Sequence, residues 1–183
     1  MAEREERELI ARVAAGDRVA FECLYRRYHP RLYRFCLRVA RVSSTVEEIL
    51  NDTMLVVWRR ADTYNGGSKV STWIFAIAYR LTLKALRTLD DPIEDLTQEL
   101  AGDSLSGPEG MLMASQQATV LREVLGQLPP AQRAVVELAY FQDFSYREIA
   151  VVLDCPVDTV KTRMFHARRR LRALLEGQNK ESA

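Results

Sequence analysis

Lys161, Arg163, Arg168, Arg169 and Arg172, with Thr162 among them, crowd the C-terminal end of the chain. Cations and a hydroxyl at helical spacing do binding chemistry. Ammonium and guanidinium groups pair with phosphates or guanine acceptors, and a threonine offers its methyl or hydroxyl to a base edge. To do so they need a helix with one face packed and one face free. Val160, Met164, Ala167, Leu171 and Leu174 recur at that spacing and form the packed stripe, which leaves the cations outside it. A partner helix stands just upstream. Ser145 is placed to cap it, Glu148 three residues on completes a capping box, and Ile149, Ala150 and Leu153 are its buried face. Asp154 falls where the turn needs a left-handed residue, and Pro156 suits the start of the second helix. The pair predicts a helix-turn-helix presenting a basic recognition helix to a major groove.

Other chemistry is poorly served. Cys23, Cys36 and Cys155 are far apart, with no CxxC and no accompanying histidine pair, so they read as buried free thiols. His29 and His166 sit on unrelated segments, and there is no phosphate loop, no metal-ligand spacing and no nucleophile with its base. The expectation is a binding protein: no catalytic residue, no metal, no cofactor and no small-molecule substrate. At 183 residues with 48% apolar composition the chain is large enough for real cores. It lacks a run of apolar residues long enough to span a membrane, and its N-terminus, Met1-Ala2-Glu3-Arg4-Glu5-Glu6-Arg7, is too charged for a secretory signal. A cytoplasmic location is therefore expected.

The net charge of +1 hides a segregation. Residues up to Arg87 are basic on balance. From 88 to 121 the chain carries Asp90, Asp91, Glu94, Asp95, Glu99, Asp103 and Glu109 with no lysine or arginine, and from Arg122 it is basic again. That order predicts two nucleic-acid surfaces separated by a segment that nucleic acid repels.

The periodicity is helical throughout, and the expected fold is all-α. Helices are predicted over Leu9 to Ala15 and Val19 to Val42, the latter capped by Asp17 and kinked or broken at Pro30. Another starts at Ser44 or Thr45 and runs to about Ala61. Asn65-Gly66-Gly67-Ser68 is a turn, after which Val70, Trp73, Ile74, Ile77 and Leu81 mark the inner face of a helix ending near Arg87. Trp58 and Trp73 read as core residues, whereas Tyr64, beside the glycines, is a candidate platform for base stacking. Between Thr88 and Gly110, Pro92, Gly102, Gly107 and Pro108 break any long helix. This stretch reads as a flexible acidic linker in which Ile93, Leu96 and Leu100 are free to dock on a partner. The domains are thus 1–87, a helical bundle; 88–110, the linker; and 111–183, a four-helix domain in which helices over Leu112 to Leu125 and Ala131 to Phe141 precede the helix-turn-helix.

With these residues in place the chain resembles the extracytoplasmic-function (ECF) sigma factors, the two-domain members of the bacterial sigma-factor superfamily. The likeness rests on Asp17-Arg18-Val19-Ala20-Phe21 with Leu24-Tyr25-Arg26-Arg27-Tyr28, on Glu47-Glu48-Ile49-Leu50-Asn51-Asp52-Thr53-Met54, and on Ser71-Thr72-Trp73-Ile74-Phe75-Ala76-Ile77-Ala78. In the C-terminal part it rests on Leu128-Pro129-Pro130-Ala131-Gln132-Arg133, on Tyr146-Arg147-Glu148-Ile149-Ala150 and on Thr159-Val160-Lys161-Thr162-Arg163.

The resemblance implies a dissociable subunit that binds core RNA polymerase, carries it to promoter DNA and helps open the duplex. It implies that Glu48, Asn51 and Asp52 dock on the polymerase clamp, with Asn51 and Met54 standing where a glutamine and an aromatic residue are usual. It implies that the loop at Tyr64, Asn65, Gly66, Ser68 and Lys69 captures a flipped base of the minus-10 element, and that Arg80 replaces an asparagine frequent at its edge. On the recognition helix, whose motif opens at Thr159, it assigns Lys161, Thr162, Phe165 and His166 to the bases of the minus-35 element, and Arg163 and Arg168 to phosphates. His166 replaces a frequent arginine and cannot make that residue's bidentate contact with guanine. The acidic linker is expected to thread a basic polymerase channel, and an anti-sigma factor is expected to clamp the two domains. A stand-alone helix-turn-helix regulator that binds duplex DNA without polymerase is the other reading.

Overall fold

The computed structural model describes residues 2–88, 121 and 123–181, with side chains described as far as Glu176. The linker, with Ile93, Leu96 and Leu100, and most of the helix expected before Leu125 lie outside the described residues, of which 123–126 are helical. The described residues form α-helices with short 3-10 turns and no strand, in agreement with the all-α reading.

Helix α1 (Ala2–Ala14) buries Leu9, Ile10 and Val13, while i,i+4 pairs such as Arg7–Glu3 line its solvent face. Gly16, at φ 85°, turns the chain, and Asp17 caps α2 (Arg18–Ala40) as expected, accepting hydrogen bonds from the N–H groups of Val19 and Ala20. Pro30 does not break α2. The helix runs through it, because Leu24, Tyr28, Leu32, Phe35 and Val39 all pack into the core from one face and their burial outweighs one missing hydrogen bond. A 3-10 turn (Ser43–Thr45) leads into α3 (Val46–Arg60), a second one (Ala61–Thr63) follows, and the Tyr64–Lys69 loop delivers the chain to α4 (Val70–Thr88). Beyond the linker come α5 (Pro130–Tyr140), α6 (Tyr146–Val152) and α7 (Val157–Glu181).

Helix α4 departs from its expected single apolar stripe. Val70, Ile74 and Ile77 are buried as anticipated, but so are Ser71, Phe75, Ala76, Ala78 and Tyr79 around the rest of the helix. The reason is tertiary: α6 lies against α4, and α5 lies against α2, so one apolar core runs through both halves. Phe75 sits between Phe35 and Phe144, edge-on to each, with ring centroids 5.2 Å apart in both pairs.

Polar contacts close the same joint. Arg133, only 6% exposed, spends its whole donor fork on carbonyls. It donates across the joint to Arg38 O (3.1 Å) and Val39 O (3.0 Å) at the end of α2, and within its own half to the carbonyls of Leu125, Gly126 and Leu128. Burial, reinforced by nearby Arg41, lowers its pKa to about 10, so it stays charged at neutral pH. Arg38 meets both oxygens of Glu137 at 3.1 Å, and burial still pushes that carboxyl up to about 7. Arg31 donates to Gln142 at 3.0 Å, and Arg41 donates to Gly126 O at 3.0 Å. The cysteines only partly match expectation: Cys36 is buried, Cys155 is half-buried, and Cys23 is exposed on the outward face of α2.

Candidate functional site

The helix-turn-helix forms as its residues require. Ser145 Oγ accepts from Glu148 N–H (3.3 Å), and Ser145 N–H donates to Glu148 Oε2 (2.8 Å), a complete capping box at the start of α6. Asp154 takes the left-handed position, at φ 49°, and Cys155 N–H closes the turn onto Ala150 O at 3.0 Å. Val160, Met164 and Ala167 of α7 are buried, and Leu171 and Leu174 are half-buried. This turns Lys161, Thr162, Phe165, His166, Arg168, Arg169 and Arg172 to solvent.

Within that face the side chains are already ordered. Thr162 Oγ1 donates to Asp158 O (2.9 Å), which leaves the exposed hydroxyl oxygen able to accept. Lys161 pairs with exposed Asp158 at 2.9 Å, a contact weak enough to exchange for a base or phosphate. Phe165 is 62% exposed, beside the His166 ring. Arg168 donates to the Tyr140 hydroxyl through Nε (3.1 Å) and Nη2 (2.9 Å). Tyr140 escaped the sequence reading because nothing local links it to a residue two helices away. Thr159 and Arg163 stand apart from this face, both half-buried. Arg163 Nη1 reaches Cys155 Sγ at 3.7 Å, and its charge partly offsets the rise that burial imposes on the Tyr79 hydroxyl of α4.

The Tyr64–Lys69 loop is a built turn. Asn65 Oδ1 accepts from Gly67 N–H (2.9 Å), and Gly66 has φ 74°, a conformation few residues besides glycine adopt readily. Tyr64 packs its ring 5.7 Å from that of Trp73 and donates its hydroxyl to Ser68 O, so it is half-buried rather than a free stacking platform. Asn65 is exposed, and Gly66 and Ser68 are half-exposed. Lys69 makes an ion pair with Glu148 of the capping box at 2.8 Å. That pairing raises the lysine pKa; Glu148, despite the opposing effect of burial, is held below its ordinary value by Lys69 and Ser145. Arg80 is exposed, but α4 carries it about 16 Å along the helix axis from Lys69.

On α3, Glu48, Asn51 and Asp52 share one exposed face with Leu55, which is 43% exposed. Beside them is a groove of about 470 Å³ lined by Arg18, Phe21, Tyr25, Asn51, Met54, Leu55 and Trp58, all from α2 and α3. Trp58 is therefore no core residue: it stands half-buried at the groove, edge-on to Phe21 at 5.1 Å. Trp73 is half-buried as well, against Tyr64. Leu55 was legible as an apolar residue off the buried stripe of α3, one turn past Asp52; the groove itself was not. Among the described residues no group of histidine, cysteine and carboxylate side chains could hold a metal, and no helix is long and apolar enough to cross a membrane.

Residues 24–91 match the family model for Sigma-70 region 2, and residues 118–171 match that for Sigma-70, region 4. The chain is 34% identical to the ECF RNA polymerase sigma factor RpoE of Cereibacter sphaeroides, covering 85% of this chain and 86% of that one. It is 32% identical to the ECF RNA polymerase sigma factor SigM of Mycobacterium tuberculosis, covering 94% and 86%. In fold it resembles CnrH, solved in complex with the cytosolic domain of CnrY (TM-score 0.71, 23% identity, 94% of this chain and 98% of that one). It also resembles the sigma factor RpoE solved with the anti-sigma factor NepR from Bartonella quintana (TM-score 0.66, 23% identity, 80% and 91%).

Proposed function

Because the chain belongs to the ECF sigma factors, and so binds core RNA polymerase and directs it to promoters, we propose how its residues divide that work. The exposed face of α7 takes the minus-35 element. Lys161, Thr162, Phe165 and His166 meet bases, and Arg168, oriented by Tyr140, takes a phosphate. Thr159 and Arg163 belong to the same helix, but their partial burial makes them supports rather than readers while the halves are in contact.

The loop from Tyr64 to Lys69 takes the minus-10 element. Asn65, Gly66, Ser68 and Lys69 serve the captured base, Tyr64 and Trp73 stiffen the loop, and Arg80 reaches backbone further along. The clamp of the polymerase takes α3: Glu48, Asn51 and Asp52 meet its cations, while the adjoining groove receives an apolar side chain. The chain supplies binding and duplex opening with no catalytic step of its own, and it works in the cytoplasm, where polymerase is. An anti-sigma factor as its inhibitor is supported by the fold likeness to a sigma factor solved with one.

The observation that carries this division is the separation of faces. The minus-35 residues of α7 and the clamp-facing residues of α3 are exposed on different helices of different halves, and no lining residue of the groove comes from α5, α6 or α7. The stand-alone regulator is not favoured, because region 2 and region 4 matches occur together in one chain.

The test is reconstitution with bacterial core polymerase. Wild-type protein is expected to co-elute with core and to initiate at specific promoters on genomic fragments. Leu55→Glu should lose co-elution while keeping its helical content. If Leu55→Glu binds core like wild type, the α3 face is not the dock.

A further inference from the structure

Tyr140 is the last residue of α5, outside the helix-turn-helix, and it is 57% exposed although α5 buries every residue from Arg133 to Leu138. Burial of its ring therefore does not account for it. What it touches is the recognition helix: the phenol oxygen accepts from Arg168 Nε at 3.1 Å and Nη2 at 2.9 Å, with the guanidinium carbon 5.8 Å from the ring centroid. Both residues belong to the C-terminal half, so this contact does not depend on how that half packs against the first.

The donors left over show what the pair offers. Arg168 spends the N–H of Nε and one N–H of Nη2, which leaves both hydrogens of Nη1 and the second of Nη2 unspent, and the phenol, having accepted, still has its own O–H to give. The outward side is all donors around one positive charge, the complement of a phosphate. Because α5 packs against the apolar stripe of α7, the tie to Tyr140 draws the guanidinium toward the flank of the helix, where a groove wall and its phosphates stand, and away from base edges. Other partnered cations of α7 are held differently: Lys161 by the Asp158 carboxylate, and Arg163, half-buried, by Cys155. A carboxylate in place of Tyr140 would also hold Arg168, but it would cancel the charge and repel a phosphate. A phenylalanine would hold nothing. The phenol fixes the guanidinium without neutralising it.

We propose that Tyr140 and Arg168 form one composite phosphate site, in which the phenol both sets the guanidinium and donates its own O–H to the minus-35 backbone. Helix α5 thereby becomes part of the DNA-binding surface, and the recognition helix is held in register from outside the helix-turn-helix. The site presupposes the assignment of α7 to the minus-35 element.

The experiment measures binding of the reconstituted holoenzyme to a promoter fragment obtained with it, in which single phosphates across the minus-35 element are replaced, one at a time, by uncharged methylphosphonates. With wild-type protein one replacement should weaken binding about tenfold, the loss of a charge-assisted contact. That replacement should have no effect in Arg168→Ala and a reduced effect in Tyr140→Phe, which itself should bind the intact promoter about fivefold more weakly than wild type. Tyr140→Glu keeps a partner for Arg168, so it should match wild type in melting temperature; it should nevertheless bind DNA more weakly than Tyr140→Phe and lower the salt slope by about one. If Tyr140→Phe binds like wild type, or if the replacement silenced by Arg168→Ala keeps its full effect in Tyr140→Phe, Tyr140 is no part of a phosphate site. Wild-type affinity in Tyr140→Glu would mean that the phenol only ties α5 to α7. If no replacement weakens wild-type binding, the assignment of α7 to the minus-35 element falls, and the composite site with it.

Discussion

At the residue scale, the cations of α7 are unequal although the sequence presents them alike. Arg168 is exposed and held by Tyr140, whereas Arg163 is half-buried against Cys155 and close to Tyr79. Each phosphate that a cation neutralises contributes about 0.9 to the slope of log affinity against log salt. Arg168→Ala should therefore lower that slope by about one for a promoter duplex bound by the polymerase complex. Arg163→Ala should lower it less, because the Arg163 guanidinium is engaged with Cys155 of its own half. Equal losses from both substitutions would mean that Arg163 turns outward on DNA. The sequence identified both residues as free cations, because helical spacing reports distance from the stripe and is blind to a neighbour from another half.

At the element scale, local signals were legible wherever the stabilising groups are close in sequence. Asp17 caps α2, the Ser145–Glu148 box opens α6, Asp154 takes the left-handed turn and Gly66 the tight loop, all as their types require. Ser145→Ala should destabilise the protein by about 1 kcal/mol in chemical denaturation, the usual loss for a helix cap. It should also weaken the Lys69–Glu148 pair, since Ser145 helps to orient that carboxylate. A stability change near zero would mean that water replaces the cap. Pro30 shows where a local rule yields: its residue-level signal is to break a helix, but five buried side chains of α2 on one face hold the helix through it. Trp58 misled in the opposite sense, since a large aromatic reads as core although here it borders a groove.

At the scale of the whole molecule, the joint between the halves carries a titratable group. Glu137 is 1% exposed and faces Arg38 and, more remotely, Arg133, with Arg41 beside that arginine; burial outweighs these cations and lifts its pKa from 4.5 to about 7. A carboxyl with a raised pKa stabilises the closed state fully below its ordinary value, and that stability is lost as pH rises through the raised one. Thermal stability of the closed chain should therefore fall between about pH 4.5 and pH 7 and level off above. Glu137→Gln, neutral throughout, should remove that component, as seen by subtracting its melting-temperature profile from that of wild type. Identical profiles would show that Glu137 is ionised in both states.

The sequence by itself determined the helical class, the caps and turns, the packed stripe of the recognition helix and the family, because each depends on residues near one another or on motifs in a fixed order. The tertiary structure alone decided which surfaces are covered. Whether Phe75 and Tyr79 face solvent, whether Lys69 is free and whether Arg163 lies outward depend on α6 resting against α4 across about seventy intervening residues. A period of 3.6 residues shows that a helix has an apolar face; it cannot show that a second body will bury the opposite face as well.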